Sequence, residues 1–143
     1  MAKVLNVCIS KVKGTVKEPV DKIHLIPGHG IEGDAHAGNW HRQVSILAKE
    51  SVNKMQSKID TELKPGVFAE NILSEGIEVM SLPIGQKLRI GGAVLEVTQI
   101  GKECHADCAI RQQVGDCVMP REGVFMKVLE EGEVCPGGGI ELI

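Results

Sequence analysis

Two segments of alternating character, Lys87-Leu88-Arg89-Ile90 and Ala93-Val94-Leu95-Glu96-Val97, flank the dipeptide Gly91-Gly92. Two glycines accept the positive φ angles of a two-residue turn, so the pattern specifies an antiparallel hairpin whose second strand runs on to Ile100. The loop length also fixes the register. It sets Ile90 opposite Ala93, Leu88 opposite Leu95 and Lys87 opposite Glu96. The two leucines then share one face and the opposite charges the other, so turn chemistry and side-chain pairing agree. A chain organised around this unit is committed to sheet.

The remaining pattern is consistent with that commitment. Residues 2–10, with Val4, Leu5, Val7 and Ile9, read as a first strand. Residues 20–25 read as a second, closed by Pro27 and Gly28, and 43–47 as another. Gly137-Gly138-Gly139 lets the chain turn into a last strand over 140–143. Residues 48–59 place Val52, Met55 and Ile59 at helical steps, and the spacing of Val124, Phe125, Val128 and Leu129 predicts a second helix over 123–130. Pro65-Gly66 breaks the chain before an apolar segment, 67–73, that Glu70-Asn71 interrupts. This reading gives about seven strands and two helices with no regular βαβ alternation. The expected fold is mainly β, an antiparallel barrel or closed sheet with a few peripheral helices. The 143 residues are expected to form one domain spanning 1–143.

Composition narrows the function. Trp40, Phe68 and Phe125 are the only aromatic residues besides histidine, so the core must be aliphatic and bases have little to stack on. A net charge of -3 disfavours a nucleic-acid partner, because phosphate binding needs a basic surface. The five cysteines, at 8, 104, 108, 117 and 135, are odd in number and do not resemble a disulfide framework. The opening residues carry no apolar run behind a basic segment, and no stretch approaches bilayer-spanning length. The expectation is a soluble, cytoplasmic protein with reduced thiols and no membrane or nucleic-acid partner.

The segment Gly101-Lys102-Glu103-Cys104-His105 places a thiol just after an apolar strand, between cationic neighbours that favour the thiolate. Cys104 is therefore either a reactive thiol presented at a strand-to-loop junction or a small buried hydrophobe. Cys104, Cys108 and Cys117, with His105, offer metal-ligating atoms, but their spacing matches no common zinc or iron–sulfur pattern. Cys108 is either a resolving thiol for Cys104 or a packing residue. Cys117, Cys8 and Cys135 read as structural. Asp34, His36, His41 and Arg42 form a second polar cluster in an irregular glycine- and histidine-rich stretch. It is either an anion site built around a planar guanidinium or a set of solvated loop residues. Glu70-Asn71 is a third polar pair, with the solvent face of a strand as its ordinary explanation. There is no GxxxxGK[ST], GxSxG or HExxH motif. Gly28-x-Gly30-x-x-Gly33 is no dinucleotide fingerprint, since it opens no helix.

In order along the chain, Gly30-Ile31-Glu32-Gly33-Asp34-Ala35-His36-Ala37-Gly38 with His41-Arg42-Gln43-Val44-Ser45-Ile46-Leu47 resembles the opening motif of the MOSC family. Pro65-Gly66-Val67-Phe68-Ala69-Glu70-Asn71-Ile72 resembles its second motif. Leu82-Pro83-Ile84-Gly85, the Gly91-Gly92 hairpin and Val97-Thr98-Gln99-Ile100-Gly101-Lys102-Glu103-Cys104 resemble its third. Gly115-Asp116-Cys117-Val118-Met119-Pro120-Arg121-Glu122-Gly123-Val124-Phe125 continues the likeness, which covers nearly the whole chain. MOSC denotes the C-terminal domain of molybdenum cofactor sulfurases, similar in fold to the β-barrel domain of pyruvate kinase.

The resemblance implies that Cys104 is the family's hallmark cysteine. That cysteine either carries sulfur as a persulfide, with sulfurtransferase-type activity toward a molybdopterin cofactor, or ligates molybdenum in a binding module without turnover. A zinc-stabilised interaction domain is a third reading. Asp34, His36, His41, Arg42, Asn71 and Lys102 are the candidate cofactor-binding residues. The implied partners are a cysteine desulfurase or other sulfur donor, and a molybdoenzyme or cofactor-maturation protein. Pyridoxal phosphate, used by a desulfurase domain in the longer sulfurases, is not expected in this chain. One departure is that Glu103 precedes the cysteine where the family often has proline, and its negative charge opposes Lys102 and His105.

Overall fold

A computed structural model describes residues 2–13, 15–60, 62–101 and 122–143 of the chain. Lys102, Cys104, His105, Cys108 and Cys117 therefore lie outside the described residues. The strands in chain order are β1 (Lys3–Ile9), β2 (Glu18–Val20), β3 (Ile23–Ile26), β4 (Gly30–Ile31) and β5 (Val44–Ala48). Helix α1 (Lys49–Gln56) follows, then β6 (Ile72–Glu75), a 3₁₀ turn (Val79–Ser81), β7 (Lys87–Ile90) and β8 (Ala93–Ile100). The chain ends in β9 (Val124–Glu130), β10 (Gly132–Val134) and β11 (Ile140–Leu142). The fold is mainly β.

Eight strands form one sheet in the order β11-β7-β8-β9-β5-β6-β1-β2, and β10-β3-β4 form a smaller one. The hairpin has the register its turn demands: Lys87 opposite Glu96, Leu88 opposite Leu95 and Ile90 opposite Ala93. Among the described residues, the strand pairings are antiparallel except β5 with β6. The large sheet curls until its ends meet without a full closing ladder. The N-terminal half of β1 bonds the segment leading into β11, through Val4 N–H to Gly138 C=O (2.8 Å) and Gly137 N–H to Val4 C=O (2.7 Å). The C-terminal half of the same β1 edge carries β2, with Val7 opposite Val20.

Aliphatic side chains fill the inside, as the scarcity of rings requires. Val7, Ile46, Ile72, Leu88, Leu95, Val97 and Met126 of the large sheet pack with Ile23, Leu25, Ile31 and Val134 of the small one. A second cluster lies on the outer face, where Val52 and Met55 of α1 meet Leu47, Phe68, Leu73 and Phe125. Helix α1 carries Glu50 in its first turn and Lys54 in its last, both complementary to the helix dipole. It stops short of the expected 59 because Gln56 holds the following turn from both ends. Its side-chain N–H donates to Ile59 C=O (3.0 Å) and its side-chain oxygen accepts from Leu63 N–H (2.7 Å).

Three expectations are corrected. Residues 123–130 do not form a helix: Val124–Glu130 is β9, lying between β8 and β5. Val124, Phe125, Met126 and Val128 are all buried. A strand covered on both faces loses its alternation, and its apolar run then resembles helical spacing. The single strand expected over 20–25 is divided at Asp21-Lys22 into β2 and β3, which belong to different sheets. Glu70 and Asn71 do not face solvent, each being only 1% exposed in the turn entering β6.

Candidate functional site

The ends of several elements share one rim of the barrel: β1 at Ser10, β5 at Ser45, β8 at Thr98 and β9 at Phe125. The glycine- and histidine-rich loop crosses that rim, and Asp34 shapes it. Its carboxylate accepts from Ser10 N–H (3.1 Å) through Oδ1 and from His36 N–H (3.1 Å) through Oδ2. Lys17 reaches the same Oδ1 at 2.7 Å, and both side chains of this ion pair are fully buried. A buried pair gains stability only when its remaining hydrogen-bonding capacity is met. Here it is met. Lys17 Nζ also lies 3.2 Å from Ser10 Oγ and 3.0 Å from His36 Nδ1. Burial nonetheless pulls the Lys17 ammonium below the usual lysine range, against the opposing pull of Asp34.

His36, Arg42, Ser45, Phe68, Ala69, Asn71 and Phe125 line the narrow end of a cleft on this rim. His36, Arg42 and Phe125 continue into a wider mouth of about 280 Å³ completed by Lys13 and Trp40. Arg42 is the centre of the arrangement. Its guanidinium carbon lies 4.6 Å from the Trp40 ring centroid and 5.6 Å from that of Phe125. Two aromatic faces hold the cation in place, each contact contributing on the order of 0.5–2 kcal/mol. Its buried Nε has no hydrogen-bond partner among the described residues. An unpartnered buried donor of this kind costs about 1–3 kcal/mol, and an arriving acceptor would recover that cost.

The floor is rigid. Asn71 Oδ1 accepts from Ser45 N–H (3.0 Å) and the Ser45 hydroxyl (3.2 Å), while Nδ2 donates to Cys8 C=O (3.1 Å). Its amide therefore ties β1 to β5 beneath the cleft. The loop before it turns through Gly66 (φ 87°) and Ala69 (φ 64°), the latter an uncommon conformation for a residue bearing a Cβ. Glu70 holds this loop from inside, accepting from Gly66 N–H (2.7 Å) and Phe68 N–H (3.2 Å). Burial drives the Glu70 carboxyl up to about 7, although those two N–H groups pull the other way.

The structure thus brings together His36, Arg42 and Asn71 of the residues proposed from sequence. Asp34 lies beneath the cleft, holding the loop and Lys17. His41 is exposed outside the lining and hydrogen-bonds Gln99 Oε1 through Nε2 (2.7 Å), while its carbonyl accepts from the Thr98 hydroxyl. Cys8 is buried in β1, where desolvation and then Glu70 push its thiol up to about 12. Cys135 is free and exposed. Lys17 was invisible in the sequence, because no local pattern marks a lysine whose partners lie 17 and 19 residues away.

The MOSC domain family model matches residues 33–141. The chain belongs to the MOSC domain family. That family is associated with the molybdenum cofactor. Among relatives, the uncharacterized protein YflK of Bacillus subtilis is 26% identical in an alignment 140 residues long that covers 91% of this chain and 63% of YflK. The chain thus spans less than two thirds of that relative's length. Among solved structures, the YuaD protein of Bacillus subtilis superposes with a TM-score of 0.80 at 22% identity, covering 99% of this chain and 96% of YuaD. YiiM of Geobacillus stearothermophilus gives 0.77 at 18% identity over all of this chain and 75% of YiiM. These structural likenesses show a shared fold. Among the described residues no helix is long and apolar enough to cross a membrane, and no three His, Cys, Asp or Glu groups converge as metal ligands.

Proposed function

We propose that this MOSC protein carries sulfur on Cys104 for a molybdopterin-type cofactor, whose anionic end is its cargo's recognition handle and is received by the rim cleft. The observation carrying the proposal is Arg42, clamped between Trp40 and Phe125 with a buried Nε lacking a partner among the described residues. A planar, permanently charged guanidinium suits oxyanions, so the chemistry of the cleft fits such a ligand. The mouth adds Lys13 and His36. Asn71 acts through the floor, since its amide is committed to Ser45 and Cys8.

Chain connectivity supports Cys104 as the thiol. Gly101 N–H bonds Gly123 C=O (2.7 Å), so the segment bearing Cys104 leaves and rejoins the sheet beside Phe125 of the cleft. Cys104 follows Gly101 by three residues, a reach of about 10 Å when extended. In the proposed chemistry the Cys104 thiolate attacks the outer sulfur of the donor's persulfide, whose S–S bond breaks as the donor thiolate leaves. An acceptor nucleophile later takes that sulfane sulfur, with Cys104 departing as thiolate. A cysteine desulfurase or comparable donor supplies the sulfur.

Intact-mass measurement after incubation with a desulfurase and cysteine tests the carrier step. Wild type should gain one sulfur atom that reductant removes. Cys104→Ser should abolish the gain, while Cys8→Ser and Cys135→Ser should retain it. Lys102→Glu should slow loading below about pH 8.5, the ordinary thiol range. Loading of Cys104→Ser at the wild-type rate would end this reading. Stoichiometric molybdenum in the purified protein would instead favour a binding module with Cys104 as metal ligand, and stoichiometric zinc a zinc-stabilised interaction domain.

A further inference from the structure

We propose that Gln99 is a positioning residue: its side-chain amide straps the loop that carries Arg42 to Gly101, the residue from which the chain continues to Cys104. The consequence for sulfur loading rests on the carrier role proposed above; the strap does not.

A β-bulge puts Gln99 where it can do this. β8 pairs with β9 through Val97 opposite Met126 and Gln99 opposite Phe125, so Thr98 is an extra residue in β8. Val97 and Met126 both belong to the inner core. Alternation alone would send Gln99, two residues beyond Val97, to that same face. The bulge instead pairs it with Phe125, whose ring belongs to the outer cluster and lines the cleft. Phe125 pairs on its other side with Ser45, and Ser45 N–H bonds Asn71 Oδ1. Gln99 thus extends the cleft-lining row Asn71, Ser45, Phe125 onto β8. At the bulge itself, the Thr98 hydroxyl donates to His41 C=O and lies 3.1 Å from Phe125 C=O.

The far end of the strap fixes its donors and acceptors. Gln99 Nε2 donates to Gly101 C=O (2.7 Å), and a carbonyl can only accept, so the nitrogen end of the carboxamide must face Gly101. The oxygen end then faces His41 Nε2 at 2.7 Å, and the imidazole must donate from that nitrogen. Arg42 is the next residue in the chain, its guanidinium held over Trp40 and Phe125. Gly101 is meanwhile held at both polar backbone atoms, because its own N–H donates to Gly123 C=O (2.7 Å). Its φ of +71° turns the chain there, in the region that favours glycine. The strap therefore sets the direction of the Gly101 carbonyl, and with it the last backbone orientation before the segment bearing Cys104. Losing either end releases the other. Without His41 the amide can rotate away from Gly101, and without Gln99 the carbonyl and the ring lose their link.

The test uses the full chain labelled with ¹³C and ¹⁵N. Scalar coupling across the hydrogen bond should join Gln99 Nε2 to the Gly101 carbonyl carbon, and His41 at pH 8 should carry its proton on Nε2. Gln99→Met and His41→Leu identify the signals. Absence of that coupling, or a bare His41 Nε2, would overturn the strap. Loading of Cys104 by a desulfurase and cysteine, read by mass, tests its consequence. At saturating donor, Gln99→Met should load about three- to tenfold more slowly, the worth of one neutral hydrogen bond, at an unchanged half-saturating donor concentration. His41→Leu should be slowed too, and the double variant should be no slower than Gln99→Met, since both cuts sever one strap. Additive losses, or wild-type loading by Gln99→Met, would overturn the positioning role. Inorganic phosphate titrated into the same samples should bind each variant within about threefold of wild type, because Trp40 and Phe125 still clamp Arg42. Abolished phosphate binding in folded Gln99→Met would mean that the cleft has collapsed, and would likewise overturn the role. Should wild type itself gain no sulfur or bind no phosphate, the carrier reading fails and the spectra alone decide the strap.

Discussion

Two buried charged residues do more to define this site than the exposed ones that draw attention in the sequence. Lys17 holds the rim loop through Asp34 and His36, and Glu70 holds the turn before β6 through Gly66 and Phe68. Glu70 also gives the fold a pH dependence. Its carboxyl rises from an ordinary 4.5 to about 7 on folding, chiefly through burial. Between those values the folded protein keeps a proton that the unfolded chain has released, so stability falls as pH rises through this window. The effect is complete near pH 7 and is on the order of 3 kcal/mol at most. Glu70→Gln should flatten the curve between pH 5 and 7. It should also lower the plateau by about 1 kcal/mol, because the amide has one oxygen where two N–H donors are waiting. Urea denaturation at several pH values measures both. An unchanged slope in Glu70→Gln would show that another group carries the dependence.

At the scale of elements, what could be read from the sequence was what local chemistry decides. The Gly91-Gly92 turn sets both the φ angles and the register of β7 and β8, so nothing distant was needed to place them. Helix α1 was legible because it buries one face only, leaving a period in Val52 and Met55. β9 was not legible, because burial between β8 and β5 and packing on both faces erased its alternation. The site divides in the same way. Arg42 and His36 stood out by residue type and density, and Asn71 by its place in an apolar run. Lys17, Ser45 and Phe125 reach the cleft through pairings 17 to 27 residues long, which no local pattern encodes. The β9 correction has its own consequence. Paired along both edges and buried, Val124, Phe125, Met126 and Val128 should exchange their amide hydrogens only through global unfolding. Edge strands β2 and β11 should exchange through smaller openings. Native-state hydrogen exchange at low urea resolves the two classes, and fast exchange throughout β9 would contradict its central place in the sheet.

For the whole molecule, the barrel separates the parts that stabilise it from the parts proposed to act. β8 runs from the hairpin turn at Ala93 to the cleft rim at Ile100, about 23 Å away by strand geometry. At the hairpin end the small sheet is locked to the large one by close backbone approach. Gly92 N–H bonds Glu133 C=O (3.1 Å), and a Cβ on Gly132 would lie 2.2 Å from Gly92 C and 2.6 Å from Ala93 N. Those obstacles are backbone atoms, which cannot swing aside as a side chain could. Gly132→Ala should therefore force β10 away from the hairpin and cost more than about 2 kcal/mol, lowering Tm by several degrees. Gly137→Ala is the informative comparison. Nothing lies within 4 Å of its added Cβ, and the penalty comes only from its φ of +92°, on the order of 1–2 kcal/mol. Both substitutions are remote from Arg42 and His36, so the folded fraction of each should load sulfur and bind phosphate as wild type does. Thermal melts paired with the mass and phosphate assays would distinguish a fold that merely supports its rim from one whose far end is coupled to it. Loss of phosphate binding in a fully folded Gly132→Ala protein would show such coupling and contradict the separation argued here.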